Sequence, residues 1–246
     1  MEQLLDAEES APADSSSAAA TLPPLPSGMS IRMQQANWDD AGTGGVVWPA
    51  ASVLCRWMAK QPGFRGSSVL EIGCGTGAVG LFAAGLGATR VLLTDGSEGA
   101  LENAKKNISL NRASLGACEM STRQLGFGDL GQTDRLDLIS CIKWGWIFAS
   151  DCVYGNENAK LFQTIRALLS TQHEPPPRVI LSIPHRHPGP LLSESLLASA
   201  RGIRLQVLEC ERAPRHDGGA RQLVEQTVAV SVVEARLDQA GQRPSR

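Results

Sequence analysis

The stretch Val69-Leu70-Glu71-Ile72-Gly73-Cys74-Gly75-Thr76-Gly77-Ala78-Val79-Gly80 governs the reading of this chain. A short apolar run, Val69 to Ile72, has the length and composition of a buried strand. Three alternating glycines follow, and a run of small apolar residues then suits a helix. Glycines at such a turn let the backbone bend sharply and approach a ligand closely. The helix behind them presents free N–H groups toward that ligand. Gly75 to Gly80 alone also satisfies a dinucleotide pattern, so the glycines by themselves leave the ligand open. Glu71, two residues before the first glycine, places a carboxylate where it can pair with the cationic amino group of an amino-acid moiety.

Outward from this loop, strand-like and helix-like segments alternate, which is the mark of a parallel sheet covered on both faces. Strands are expected at 68–72, 90–94, 117–122, 147–150, 178–183, 204–209 and 223–233. Helices are expected at 48–60, 78–86, 98–111, 157–170 and 191–200. The fold class is thus α/β, a Rossmann-like seven-stranded, mostly parallel sheet with helices on both faces. The final two strands form an antiparallel pair at its edge. Asp95 ends the second strand, where its carboxylate can accept hydrogen bonds from both hydroxyls of a ribose. The same residue could instead cap the helix that follows.

The Ala-, Ser-, Pro- and acid-rich residues 1–28 read as a disordered tail, 29–237 as one domain and 238–246 as a frayed end. A net charge of −2 and a pI of about 6.1 do not describe a phosphate-backbone binder, so no nucleic-acid partner is expected. No run approaches the roughly 18 apolar residues of a membrane span, and the acidic start is not a secretory signal. Six cysteines, none at CxxC spacing, predict no metal site and a reducing cytoplasmic or nuclear compartment.

Four segments together resemble the family-16, lysine-targeting branch of seven-strand S-adenosylmethionine-dependent methyltransferases. They are Thr43-Gly44 leading to Val47-Trp48-Pro49-Ala50-Ala51, the glycine loop, Leu92-Leu93-Thr94-Asp95-Gly96, and Ala149-Ser150-Asp151-Cys152-Val153-Tyr154. The third is similar to the form in calmodulin-lysine and elongation-factor-2-lysine methyltransferases, and the fourth matches the family's DxxY motif. The resemblance implies S-adenosylmethionine as cofactor and a protein substrate presenting a lysine. It implies cofactor contacts at Trp48, Glu71, Gly73, Cys74, Gly75, Gly77, Asp95, Phe127, Asp129 and Ser150. Asp151 and Tyr154 would shape the lysine channel. Phe127 stands where the family usually has Trp and would stack near the adenine. The plainer alternatives are a core role for Trp48, a loop anchor at Phe127, and capping or packing by Asp151 and Tyr154.

Methyltransferases acting on amide or base nitrogens usually carry Pro-Pro inside this motif. Here its interior is Cys152-Val153, which disfavours those substrates. An impaired cofactor-binding scaffold and a small-molecule methyltransferase are the other readings. The first arises from a departure between Asp137-Leu138-Ile139 and Ala149, which reads as an insertion of about seven or eight residues against strands of ~5–6. The expectation is that 147–150 keep the central strand while 138–146 bulge outward, the alternative being a splicing or gene-prediction remnant. Two polar loops, with His185, Arg186 and His187 in one and Arg215, His216 and Asp217 in the other, are candidates to frame the substrate, ordinary polar surface loops being the plainer alternative.

Overall fold

The computed structural model describes residues 22–129, 139, 141–154, 157–171, 174–185, 193–214 and 227–238. Seven strands form one sheet: β1 Ser68–Ile72, β2 Arg90–Asp95, β3 Glu119–Gln124, β4 Trp146–Ser150, β5 Arg178–Pro184, β6 Ile203–Pro214 and β7 Thr227–Leu237. Their order is β3-β2-β1-β4-β5-β7-β6. The first five run parallel, while β7 is antiparallel to both β5 and β6. The expected antiparallel pair is present, but the last strand inserts between β5 and β6, so β6 forms the edge.

The strands read as apolar runs because both faces of the sheet are buried. Successive residues of a strand point to opposite faces. Val69, Val91, Trp146 and Phe148 therefore enter one core, with Leu54 and Met58 of α2 (Pro49–Ala59), Leu81 and Phe82 of α3 (Ala78–Gly85) and Ala104 of α4 (Glu98–Asn111). Leu70, Leu92, Ile147 and Ala149 enter the other, against Leu161, Phe162 and Ile165 of α5 (Asn158–Thr171) and Leu196 of α6 (Glu194–Ser199).

The central strand follows expectation. β4 begins at Trp146 and pairs in register with β1 and β5, Ile147 lying between Leu70 and Val179. Ile139 is instead buried ahead of the strand, and its carbonyl accepts from the Trp144 indole at 2.8 Å. Gly145 then joins the sheet, donating to Ser68 O and accepting from Arg178 N. Residues 138 and 140 of the inserted region, and 130–137 ahead of it, lie outside the described residues.

Two features differ from expectation. The packed chain starts before residue 29: Leu25 is 2% exposed and rests against Gly85, where a Cβ would come within 2.4 Å of it. A leucine in a Pro- and Ser-rich stretch carries no periodic signal, so its docking is a tertiary event; residues 1–21 lie outside the described residues, as do 239–246. A further element precedes α2, where the short helix α1 (Trp38–Ala41) and a 3-10 turn, Gly42–Gly45, pack on α4.

Candidate active site

Strand order reverses between β1 and β4, and ligands of open α/β sheets bind beyond the carboxyl ends of strands at such a point. A cleft of about 860 Å³ lies there. It is lined by the loops after β1, β2, β3 and β4, by the N-terminus of α2 and by α1 with its 3-10 turn. Of the expected residues, Trp48, Glu71, Gly73, Cys74, Gly75, Asp95, Phe127, Ser150, Asp151 and Tyr154 all line it. Gly77 and Asp129 do not.

The glycine turn is held from both sides. Gly73, Gly75 and Gly77 have φ of 63°, 50° and 79°, a region other residues enter only with strain. A methyl on Gly73 would meet Cys152 Sγ at 2.6 Å and Phe127 Cζ at 3.1 Å. Gly77 has a packing role: it precedes α3 as its N-cap, and a methyl there would meet Leu93 at 2.7 Å. The Asp95 carboxylate ties two loops together, accepting from Gly75 N and from Ser97 N, each at 2.9 Å. The helix cap is Ser97, whose hydroxyl accepts from Ala100 N, so the capping alternative for Asp95 falls away.

Glu71 is 2% exposed, and its Oε2 accepts from Gly80 N at 2.8 Å in the first turn of α3. Burial raises its pKa to about 8, against the lowering effect of the Gly80 amide. Burial likewise pushes the Cys74 and Cys152 thiols up, so both are neutral groups at the cleft. Cys152 Sγ lies 3.4 Å from Ile72 O and from Ser150 O, wedged between the β1 and β4 loops.

Asp151 has φ of 58°, the only non-glycine with positive φ among the described residues. Asp and Asn tolerate this region better than other residues. Its amide donates to Ser182 O at 2.9 Å, fixing the first residue beyond β4 to the end of β5. Tyr154, 47% exposed, stands at the mouth beside Glu157, with Trp38, 55% exposed, also at the cleft. Partial burial, and then the nearby carboxylates of Asp95, Glu157 and Asp151, raise the Tyr154 phenol pKa, which keeps it a neutral hydroxyl.

Asp129 acts within its loop instead: its Oδ2 accepts from Gly126 N at 3.1 Å, and Gly128 N donates to Thr164 of α5. His185 directly follows β5 and pairs with Ser231 Oγ at 2.9 Å through Nε2. The remainder of the two polar loops, 186–192 and 215–226, lies outside the described residues. Sequence reading missed Trp38, Asp39, Asp40, Ala41 and Gly42 at the cleft, and had Thr43-Gly44 only as the lead into the Trp48 segment; the Asp39-Asp40 pair in the first turn of α1 and the glycine spacing of 42–45 hinted at a structured segment there.

The strand order and the placement of these loops define a Rossmann-like seven-stranded α/β fold. Magnesium protoporphyrin IX methyltransferase from Synechocystis with bound SAH superposes with a TM-score of 0.50 at 16% identity, covering 81% of this chain and 88% of that one. The chain belongs to the lysine methyltransferase family, whose model matches residues 27–190. It is 36% identical over 142 residues to protein N-lysine methyltransferase METTL21A of Danio rerio, covering 57% of this chain and 62% of that protein. It is 31% identical over 128 residues to calmodulin-lysine N-methyltransferase of Arabidopsis thaliana, covering 51% and 40%. The matches thus span less than two thirds of these relatives' lengths.

Proposed function

We propose that this chain transfers the methyl group of S-adenosylmethionine to the lysine side-chain nitrogen of a protein. The observation that carries the reading is the cleft at the β1/β4 reversal, which gathers the glycine turn, Asp95, Ser150 and the Asp151–Tyr154 loop in a member of the lysine methyltransferase family.

The residues present fit the cofactor. Ser150 Oγ is buried with no hydrogen-bond partner, a polar atom at the cleft awaiting one. Glu71 and Asp95 bring acidic groups to a site for a cationic molecule, and Gly73 leaves the space that a side chain would fill. Asp95 would accept from the ribose hydroxyls, Phe127 would offer an aromatic face to the base, and Trp48 lines the cleft at the start of α2.

S-adenosylmethionine supplies a methyl group already activated on a cationic sulfonium. The chain must then orient a lysine nitrogen, exclude water and favour its neutral form. A free lysine has a pKa near 10.4, so deprotonation at pH 7.4 costs about 4 kcal/mol. Desolvation between Tyr154 and Trp38 lowers that cost. Asp151 orients the incoming ammonium; an ordinary aspartate is too weak a base to be the main proton acceptor.

The intact β4 supports a working site over the impaired scaffold. Six free cysteines support a reducing compartment, cytoplasmic or nuclear. A pI of about 6.1 supports a protein partner over nucleic acid, and among the described residues no helix is long and apolar enough to cross a membrane.

The test incubates the chain, and its Asp151→Asn variant, with methyl-labelled S-adenosylmethionine and a cytosolic extract. Asparagine tolerates the positive φ at Asp151, so the substitution removes the charge and one acceptor oxygen while keeping side-chain size and backbone conformation. A discrete labelled protein, made by the wild type and at least about tenfold less by a variant that still binds cofactor, is the expected result. Label confined to small metabolites would make the chain a small-molecule methyltransferase.

A further inference from the structure

α4 carries Asn103, Asn107 and Asn111 four residues apart, on one face, and all three are buried. An asparagine amide offers a donor beside an acceptor, the same pair that a peptide edge presents. The structure uses this likeness. Asn111 Oδ1 accepts from Arg32 N at 2.9 Å, and its Nδ2 donates to Arg32 O at 2.7 Å. One turn back, Asn107 Oδ1 accepts from Gln34 N at 2.7 Å, and its Nδ2 donates to Gln34 O at 2.9 Å. Residues 32 and 34 are one strand period apart, so the helix face pairs with an extended strap as a neighbouring strand would.

The two asparagines differ in their second donor. Asn111 directs it to Asn107 O, within its own helix, at 2.8 Å. Asn107 directs it to Thr76 O, in the glycine turn, at 3.0 Å. Immediately beyond Gln34, the strap closes into a loop. Ala36 N donates to Gly45 O, and Gln35 Oε1 accepts from Val47 N at 2.9 Å. The loop so closed carries Trp38 to Gly44 over the cleft. It meets the glycine turn directly, since a methyl on Gly75 would lie 3.1 Å from Gly44 O.

We propose that Asn107 is a positioning residue for cofactor binding, fixing the strap loop against the glycine turn at the separation S-adenosylmethionine requires. This rests on the methyltransferase reading of the cleft. Asn111 is the internal control, because it has the same chemistry and burial but no bond to the glycine turn.

The test measures cofactor Kd by calorimetry and thermal midpoint for the full chain, Asn107→Ala and Asn111→Ala. Both variants lose buried hydrogen bonds, so both midpoints fall. The expected result is a Kd raised about tenfold or more by Asn107→Ala and less than about threefold by Asn111→Ala. Equal Kd changes in the two variants, or an unchanged Kd in Asn107→Ala, would overturn the proposal, since a purely structural role moves both alike. If an alanine variant does not fold, the Asn107→Ser and Asn111→Ser pair carries the same comparison. Wild type that binds no S-adenosylmethionine would overturn the underlying reading, and the proposal with it.

Discussion

Glu71 keeps a carboxyl group where water does not reach, and its pKa of about 8 has two consequences. Between pH 4.5, its ordinary value, and about 8, the folded protein holds a proton that the unfolded chain has released. Proton binding by the folded state makes stability fall as pH rises through that window. Glu71→Gln removes this contribution, so its denaturation midpoint should vary less with pH than that of the wild type. A cation brought into the cleft favours the carboxylate form. Cofactor binding should therefore release a proton near neutral pH and tighten as pH rises toward 8. Calorimetry in buffers of different ionisation enthalpy reads that proton directly, and equal heats in all buffers would refute it. Sequence showed that an acid stands before the glycines. It did not show that the first turn of α3 folds back to donate to it.

At the scale of elements, the site depends on how closely α3 lies on β1 and β2. Gly80, in the first turn of α3, is not among the glycines with positive φ, so its importance is spatial. A methyl there would come within 2.3 Å of Leu93, 2.9 Å of Val91 and 3.0 Å of the Glu71 carboxylate. Two of these neighbours are on a central strand and cannot retreat far. Gly80→Ala should destabilise the fold by about 1–3 kcal/mol in a denaturant titration. It should also weaken cofactor affinity, because it shifts the carboxylate beneath the glycine turn. Strands β1 and β2 and helix α4 were legible because their apolar runs and caps are local signals. The α1 strap was not, since four helical residues and a glycine turn have no periodicity to read. Long-range asparagine bonds to Arg32 and Gln34 hold the extended segment that leads into it.

For the molecule as a whole, the far end of the sheet supplies stability separately from the site. Trp146 stacks on Phe64 at 4.8 Å and on Phe148 at 5.8 Å, with Trp57 edge-on at 6.1 Å. The Arg178 guanidinium lies 4.7 Å above the same indole and pairs with the buried Glu234. Trp146→Ala should lower stability by about 3–5 kcal/mol, read as a fall in the denaturant midpoint. Cofactor Kd of the protein that remains folded should stay within about twofold of wild type, as distant sites usually act independently. A large change in Kd would show that the two ends of β4 are coupled.

The amino-acid sequence by itself determined the α/β class, the number of strands, the glycine turn and ten of the residues that line the cleft. The class, the strands and the glycine turn follow from hydrophobic period and from glycine and carboxylate spacing, which are properties of neighbours along the chain, whereas Trp48, Cys74, Phe127, Ser150, Asp151 and Tyr154 were implied by the family resemblance. Tertiary structure alone decided the rest: the insertion of β7 inside the sheet, the docking of Leu25, the tie from the Asp151 amide to Ser182 of β5 and the seating of the strap over the cleft. Each joins residues far apart in sequence, or a residue to a loop that another strand supports. Only packing the sheet brings such partners within hydrogen-bonding or contact distance.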